Sequence, residues 1–279
     1  MTGHADRAHG LGTRLDKLRQ QLQNPPGMRV LYVTSRFPCR GVHGDQVRAF
    51  QQLLQLGQRH AIRLVSSAPP DPRHSGLDEL RACCESIDVL PLPAWRQLLG
   101  VARAGILGRP LQTGLYDLWP GKRLSGILEG GDFDLVHVQL ARLAGVLPRV
   151  APLPCVVDLV DALSLNMRRR AEFGRPPMAW IARSESRRLQ RLEESLISQA
   201  TALCVSAQTD LQALPAAAKV TQVGNGFEPS RFPFCRMEAR SEHLVFVGNL
   251  GYFPNVDAAL WLVDEVLPRL RARWPQTRL

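Results

Sequence analysis

The run MRVLYVT, Met28 to Thr34, decides how the rest of the chain is read. It is short, nearly continuous in apolar and β-branched residues, and of the type buried on both faces of a parallel sheet. A loop with Pro38, Gly41 and Gly44 follows. A helical pattern then extends from about Asp45 to Arg59, with Val47, Phe50, Leu53, Leu54 and Leu56 on its apolar side. HAIRLVS, His60 to Ser66, predicts a second strand, and the breaker Ala68 to Pro72 closes the unit.

The alternation continues outward. A helix is predicted near Leu77–Cys84 and strands at Ile87–Leu90, Asp134–Val138 (DLVHV) and Cys155–Leu159 (CVVDL). A long basic helix is predicted over 176–199 and a strand at Ala202–Val205. Ser206 is placed to cap the next helix, and Lys219–Val223 (KVTQV) is the last strand before Asn225 and Gly226. Strands and helices alternating at this spacing predict an α/β fold: a Rossmann-like, doubly wound parallel sheet covered on both faces. The segment Ala94–Ser125 reads as one or two amphipathic helices that pack on the sheet or touch a membrane surface.

Residues 1–27 are polar and basic, are expected to be disordered, and lack the apolar stretch of a secretory signal. Residues 28–226 form the first domain and 227–241 a linker. At 242–279 a second α/β unit opens with Leu244 to Asn249 (LVFVGN), runs through Tyr252, Phe253, Pro254 and Asn255, and enters an amphipathic helix. One such unit cannot bury its own apolar surface, so it reads as the start of a second Rossmann-like domain, and the chain as a truncated form.

The 279 residues are 45% apolar and 22% charged, ordinary values for a globular protein, and no apolar run approaches the ~18 residues of a membrane span. Six scattered cysteines without CxxC spacing predict reduced thiols in a cytoplasmic protein, not a disulfide framework or a zinc site. The net charge is +10, and eight arginines fall between Arg168 and Arg191. That run reads as a solvated helix face, or as attraction to an anionic membrane surface or phosphorylated substrate. Nucleic acid is not an expected partner: aromatics are 6% and do not interleave with the basic run, so no stacking platform is visible in the sequence.

Ligands of open α/β sheets bind beyond the carboxyl ends of the strands. There Gly41 and Gly44 allow close backbone approach, or serve as plain turn residues; Arg48, one turn into the helix, adds charge. His137, near the end of its strand, is a ligand-facing group or a satisfied core histidine. Asp158 and Asp161 flank the end of the next strand as general base or hydroxyl acceptors, with helix capping the alternative for Asp161. No GxGxxG, Walker A, HExxH or nucleophile-elbow pattern occurs, and ligands at metal-binding spacing are lacking.

Val223 to Phe232 (VGNGFEPSRF) forms a tight Asn-Gly turn with aromatic anchors. It also resembles the Asn-Gly-Val-Asp-x-x-x-Phe hallmark joining the two halves of family 4 GT-B glycosyltransferases. The glycine-bearing loop after the first strand, the strand Asp134 to His137 and the stretch Phe246 to Asn249 stand in that family's order. Val247 to Asn249, Phe253 to Ala258 and Gly108 to Leu111 are similar to the sugar transferases of exopolysaccharide and exosortase systems.

The resemblance implies an acceptor-binding first half, a donor-binding second half and retaining transfer from a nucleotide-sugar donor to a glycan or lipid-linked acceptor. No cofactor or metal is expected. It places Gly41 and Gly44 beside the donor diphosphate or acceptor, His137 toward the transferring sugar, Asn225 in the binding cleft, and Gly248 and Asn249 under the diphosphate. The family's arginine at the position of Asn249 and its nearby lysine are missing, and its acidic donor motif would lie beyond Leu279. This chain is therefore expected to bind substrate weakly at best and not to turn over. A cytoplasmic protein, peripheral on the inner membrane face, is expected. The competing readings are a non-catalytic glycan- or partner-binding remnant, and another nucleotide-dependent enzyme such as an epimerase, which the missing GxGxxG disfavours.

Overall fold

The computed structural model describes residues 27–41, 43–74, 76–119, 121–151, 153–215, 219–227, 229, 234, 243–251 and 253–279. They fall into two compact units, one ending at Phe227 and the other running from Glu228 to Leu279. The expectations for residues 1–26 and for most of the 227–241 linker lie outside the described residues.

In the first unit the strands are β1 (Arg29–Thr34), β2 (Ala61–Ser66), β3 (Ser86–Val89), β4 (Leu135–Gln139), β5 (Cys155–Val160), β6 (Ala202–Val205) and β7 (Val220–Gln222). They form one sheet in the order β3-β2-β1-β4-β5-β6-β7, and every pairing is parallel. The doubly wound α/β expectation is met by this order. Between them run α1 (Gly44–Leu56), α2 (Leu77–Cys83), α3 (Ala94–Ile106), α4 (Leu111–Asp117), α5 (Gly121–Glu129), α6 (Leu147–Val150), α7 (Leu163–Phe173), α8 (Met178–Gln199) and α9 (Gln208–Ala213).

The period-two alternation of β1 sorts its side chains between two cores. Val30 and Tyr32 join Phe50, Leu53, Ile62, Leu64 and Leu80 on the α1–α2 side. Leu31 and Val33 join Val136, Val138, Val157, Leu159, Leu189 and Leu203 on the other side. Both faces of the central strands are thus buried, which is why their sequences are continuous apolar runs rather than alternating ones.

Several local expectations change. The segment 94–125 holds three helices, α3, α4 and the start of α5. The long basic helix expected over 176–199 is present as α8, and a further basic helix, α7, precedes it and ends at Gly174. Ser206 does not cap α9: that helix opens at Gln208 behind Ala207 without a side-chain cap, and the Ser206 hydroxyl donates instead to Asp161 Oδ1 at 3.3 Å.

In the second unit the expected strand at Leu244–Val247 is absent. Just before that stretch His243 forms an isolated bridge with Arg278, and the Leu244 amide donates to the Arg278 carbonyl at 2.7 Å. A strand exists by pairing, and the described part of this unit supplies no strand for it to pair with. The expected helix is present as α10 (Phe253–Trp261), continued by a π-turn and α11 (Leu267–Arg273). No helix among the described residues is long and apolar enough to cross a membrane.

Candidate functional site at the carboxyl edge of the sheet

The strand order reverses direction at β1 and β4, so the crevice outside their carboxyl ends is where this topology receives ligands. Two backbone features mark that edge. Leu140, directly after β4, has φ 75°, and Val160, at the end of β5, has φ 64°. A β-branched residue in the left-handed region is rare and costs on the order of 1–3 kcal/mol, which the surrounding structure must hold in place. At the end of β1, Thr34 Oγ1 and Ser35 Oγ are buried without a hydrogen-bond partner among the described residues. Unsatisfied hydroxyls of this kind occur where strain or a ligand enters the account.

The β1–α1 loop forms the adjoining wall. A Cβ added to Gly41 or Gly44 would meet nothing within 4 Å, so both glycines face open space rather than a crowded backbone. Gly44 opens α1, whose first turn has no side-chain cap. Its electrostatics are not simply positive, because Asp45 stands in that turn and pairs with Arg36 at 3.3 Å. Gln139, from the end of β4, donates to the Asp45 carbonyl at 2.8 Å and fastens the loop to the sheet.

Beneath this edge lies a buried polar network. Arg48, expected to add charge at the loop, is turned inward. Its Nε and Nη2 grip Asp158 at 2.7 and 3.2 Å, and Nη1 donates to the Val223 carbonyl at 2.7 Å and to Asn225 Oδ1 at 2.9 Å. Asp158 is fully buried and also accepts from Gln52 at 2.8 Å and from the Val160 amide at 3.1 Å. With its oxygens so occupied and no path to water, it is not placed to act as a general base.

His137 lies in the middle of β4, not at its mouth. It is buried and stacks on Tyr32, ring centroids 4.3 Å apart. Burial lowers its pKa to about 4, a fall only partly offset by nearby Asp158, so at neutral pH the ring is uncharged. Its Nδ1 has no hydrogen-bond partner among the described residues. Burial likewise raises the Tyr32 phenol well above its usual range, and its hydroxyl donates to Gln52.

The structure thus brings Arg48, Asp158 and Asn225 into one network with His137 within its electrostatic reach, while Gly41 and Gly44 are exposed between β1 and the start of α1. Asp161 remains half-buried at the exit of β5. Its carboxyl is shifted upward, first by burial and then by Asp210. It does not cap α7, whose preceding residue is Ala162; Asp210 accepts the Ala162 amide instead. Gly248 and Asn249 belong to the second unit, where Asn249 Oδ1 accepts the Gly251 amide at 2.8 Å and the Asn249 carbonyl accepts from Asn255. Sequence reasoning missed Gln52 and Gln139. The available signal for Gln52 was its spacing, four residues after Arg48, which places the two on one face of α1. No group of three or more His, Cys, Asp or Glu side chains that could hold a metal occurs among the described residues.

The chain is similar to known proteins in two ways. Over 135 residues it is 28% identical to the glycogen synthase of Mycobacterium tuberculosis, in each of two strains, covering 46% of this chain. It spans 31% of the length of those relatives. Among solved structures, it overlaps UGT2 of Phytolacca americana complexed with UDP-2fluoro-glucose and pterostilbene, at 12% identity and a TM-score of 0.46, over 71% of this chain and 54% of that one. It also overlaps a UDP-glucosyltransferase from Polygonum tinctorium capable of glucosylating indoxyl, at 14% identity and a TM-score of 0.41, over 77% and 55% of the two chains. No protein-family description matches the chain.

Proposed function

We propose that this chain belongs to a GT-B glycosyltransferase that moves a sugar from a nucleotide-sugar donor to an acceptor, its first unit serving the acceptor and its second the donor. The observation carrying the reading is the clamp at Val223 and Asn225. The segment that resembles the family's interdomain hallmark is held by Arg48 against Asp158, at the carboxyl edge where this topology binds ligands. The likeness to glycogen synthase over 135 residues points to the same chemistry.

In this reading the acceptor lies in the crevice between the β1–α1 loop and the ends of β4 and β5. Gly41 and Gly44 let it approach the backbone, and Asp161 accepts one of its hydroxyl protons. His137 is a positioning residue: neutral, stacked on Tyr32, able to exchange a single hydrogen bond but not to carry charge. Gly248 and Asn249 contact the donor diphosphate through backbone and amide groups. We further infer transfer with retention of configuration, without a metal, to a glycan or lipid-linked acceptor of cell-surface polysaccharide synthesis at the cytoplasmic membrane face. The resemblance of Gly108 to Leu111 and Val247 to Asn249 supports that placement.

The test is titration of the full chain with a panel of nucleoside diphosphate sugars, followed by assay of nucleoside diphosphate release with a glycan acceptor. The expected result is saturable donor binding, weakened by Asn249→Asp, which puts negative charge beside the diphosphate. Glycan binding with no affinity for any nucleotide sugar would overturn the reading in favour of a non-catalytic module.

A further inference from the structure

Helix α3 is built with its sides reversed. Its small residues face inward: Gly100 and Ala104 are buried and meet Gly114 of α4, where an added Cβ would lie 2.7 Å from the Ala104 Cβ and 2.7 Å from the Gly100 carbonyl. Its large residues face outward. Trp95, Leu98 and Ile106 are 61%, 71% and 86% exposed, and Leu99 and Leu107 are more than half exposed. Positions 95, 98, 99, 102 and 106 follow the helical repeat, so Trp95, Leu98, Leu99 and Ile106 form a single stripe. Contiguous exposed apolar surface of this kind marks a site of association.

Basic groups flank the stripe. Arg96 lies over the Trp95 ring at 5.1 Å, Arg103 is exposed, and the segment 94–111 contains no acidic residue. Just beyond Leu107 the surface opens into a groove of about 420 Å³ lined by Arg109, Thr113, Arg188 and Arg191. Arg188 donates to the Arg109 carbonyl at 3.2 Å, which fixes the groove's two sides against each other. Asp117 is its one acidic lining residue, 3.9 Å from Arg109. The lining therefore keeps an excess of two positive charges. On α8, Ile181 stands seven residues before Arg188 and so on the same side of that helix, and it too is exposed.

We infer that this face docks on an anionic lipid surface, with the α3 stripe in the headgroup–acyl boundary and the Arg109–Arg188–Arg191 groove holding a lipid phosphate. Aromatic and aliphatic residues on one side of a helix with arginines at its border are the composition that lies in a membrane interface. Arginine pairs with phosphate through two parallel hydrogen bonds, which suits a groove with three guanidinium groups. A second copy of this chain is the less suited occupant. The border carries the same positive charge on both copies, and a two-fold contact would set arginine against arginine. The inference deepens the proposed membrane placement, yet rests on this surface and not on the sugar-transfer reading.

The experiment is flotation of the full chain with phosphatidylcholine vesicles, with and without added phosphatidylglycerol, beside sedimentation without lipid. The expected result is flotation only with phosphatidylglycerol, reduced by added salt. Leu98→Ser with Ile106→Ser abolishes it, and Arg109→Gln with Arg188→Gln and Arg191→Gln weakens it on the order of tenfold or more. All these residues lie on the surface, and a thermal melt matching the wild type confirms that each variant folds. Three results overturn the inference. They are equal flotation with both vesicle types or none with either, retained binding by the serine variant, and self-association without lipid that the serine variant removes. Donor titration is independent of every one of these outcomes, so failure here leaves the sugar-transfer reading to its own test.

Discussion

Arg48 and Asp158 are 110 residues apart in sequence, and their side chains meet at 2.7 Å with almost no solvent access. From sequence, Arg48 reads as a surface cation one turn into a helix, because nothing local reveals a partner on a distant strand. The same distance hid Asp158, whose place at the end of an apolar strand suggested a ligand-facing acid. Arg48→Met leaves the carboxylate buried and unpaired and is expected to lower stability by about 3–5 kcal/mol in urea denaturation. Adding Asp158→Leu should recover a large part of that loss, since removing both charges takes away the desolvation cost as well. A double variant no more stable than the single one would mean that the Val223 and Asn225 contacts, not the ion pair, dominate. His137 gives a second expectation. Its folded pKa of about 4 lies below the ordinary 6.5, so between those values the unfolded chain binds a proton that the folded chain refuses. Its contribution is complete above pH 6.5 and is lost as the pH falls toward 4, by about 3 kcal/mol in all. Asp161 and Glu193 oppose this, because burial raises their carboxyl pKa values. The readout is therefore the difference from His137→Phe, which keeps the stack on Tyr32. Parallel urea-midpoint profiles across that pH window would rule out the buried neutral imidazole.

At the scale of elements, the basic helix α8 works through acids turned inward. Glu185 accepts the amides of Leu111 and Gln112 at 3.0 and 3.1 Å, and Glu193 accepts the amide and hydroxyl of Ser164. Each carboxylate thus satisfies the free N–H groups that open another helix, α4 in one case and α7 in the other. The arginine count drew the sequence reading to the outer face of α8, and the eight-residue interval between the two glutamates gave no sign of it. Strand positions were legible because burial on both faces leaves a continuous apolar run. Helix partnerships were not, because a cap supplied from a distant helix has no local motif. Glu185→Ala should expose those two amides, cost about 1–3 kcal/mol and speed hydrogen exchange at the start of α4 before other helices. Gly114→Ala tests the close α3–α4 contact. Its methyl group would press on Ala104 and the Gly100 carbonyl, with an expected loss of about 1–3 kcal/mol in urea denaturation. Unchanged stability there would mean that the two helices separate freely.

At the scale of the whole molecule, the two units differ in how much apolar surface each buries. The first sustains cores on both faces of a seven-stranded sheet. In the second, only Leu267 and Thr277 are buried among the described residues, while Val245 and Val247 are 82% and 90% exposed. The apolar stretch Leu244–Val247 was legible as strand-forming sequence, yet strand formation also requires a neighbour, and sequence propensity cannot supply one. Protection of an amide reflects the free energy of the opening that exposes it, and that energy rises with buried apolar contact. Amides of β1, β4 and β5 are therefore expected to open only with global unfolding. Those of α10 and α11 should exchange faster by a factor on the order of a hundred or more, as their few buried side chains allow opening at low free energy. Mass-spectrometric hydrogen exchange on the full chain reads both sets in one sample. If the helices of the second unit were protected as strongly as the central strands, the second unit would share the cooperative core of the first. A nucleotide sugar that binds at Gly248 and Asn249 should slow exchange in α10 and α11, because binding adds to the free energy of every opening that releases the ligand.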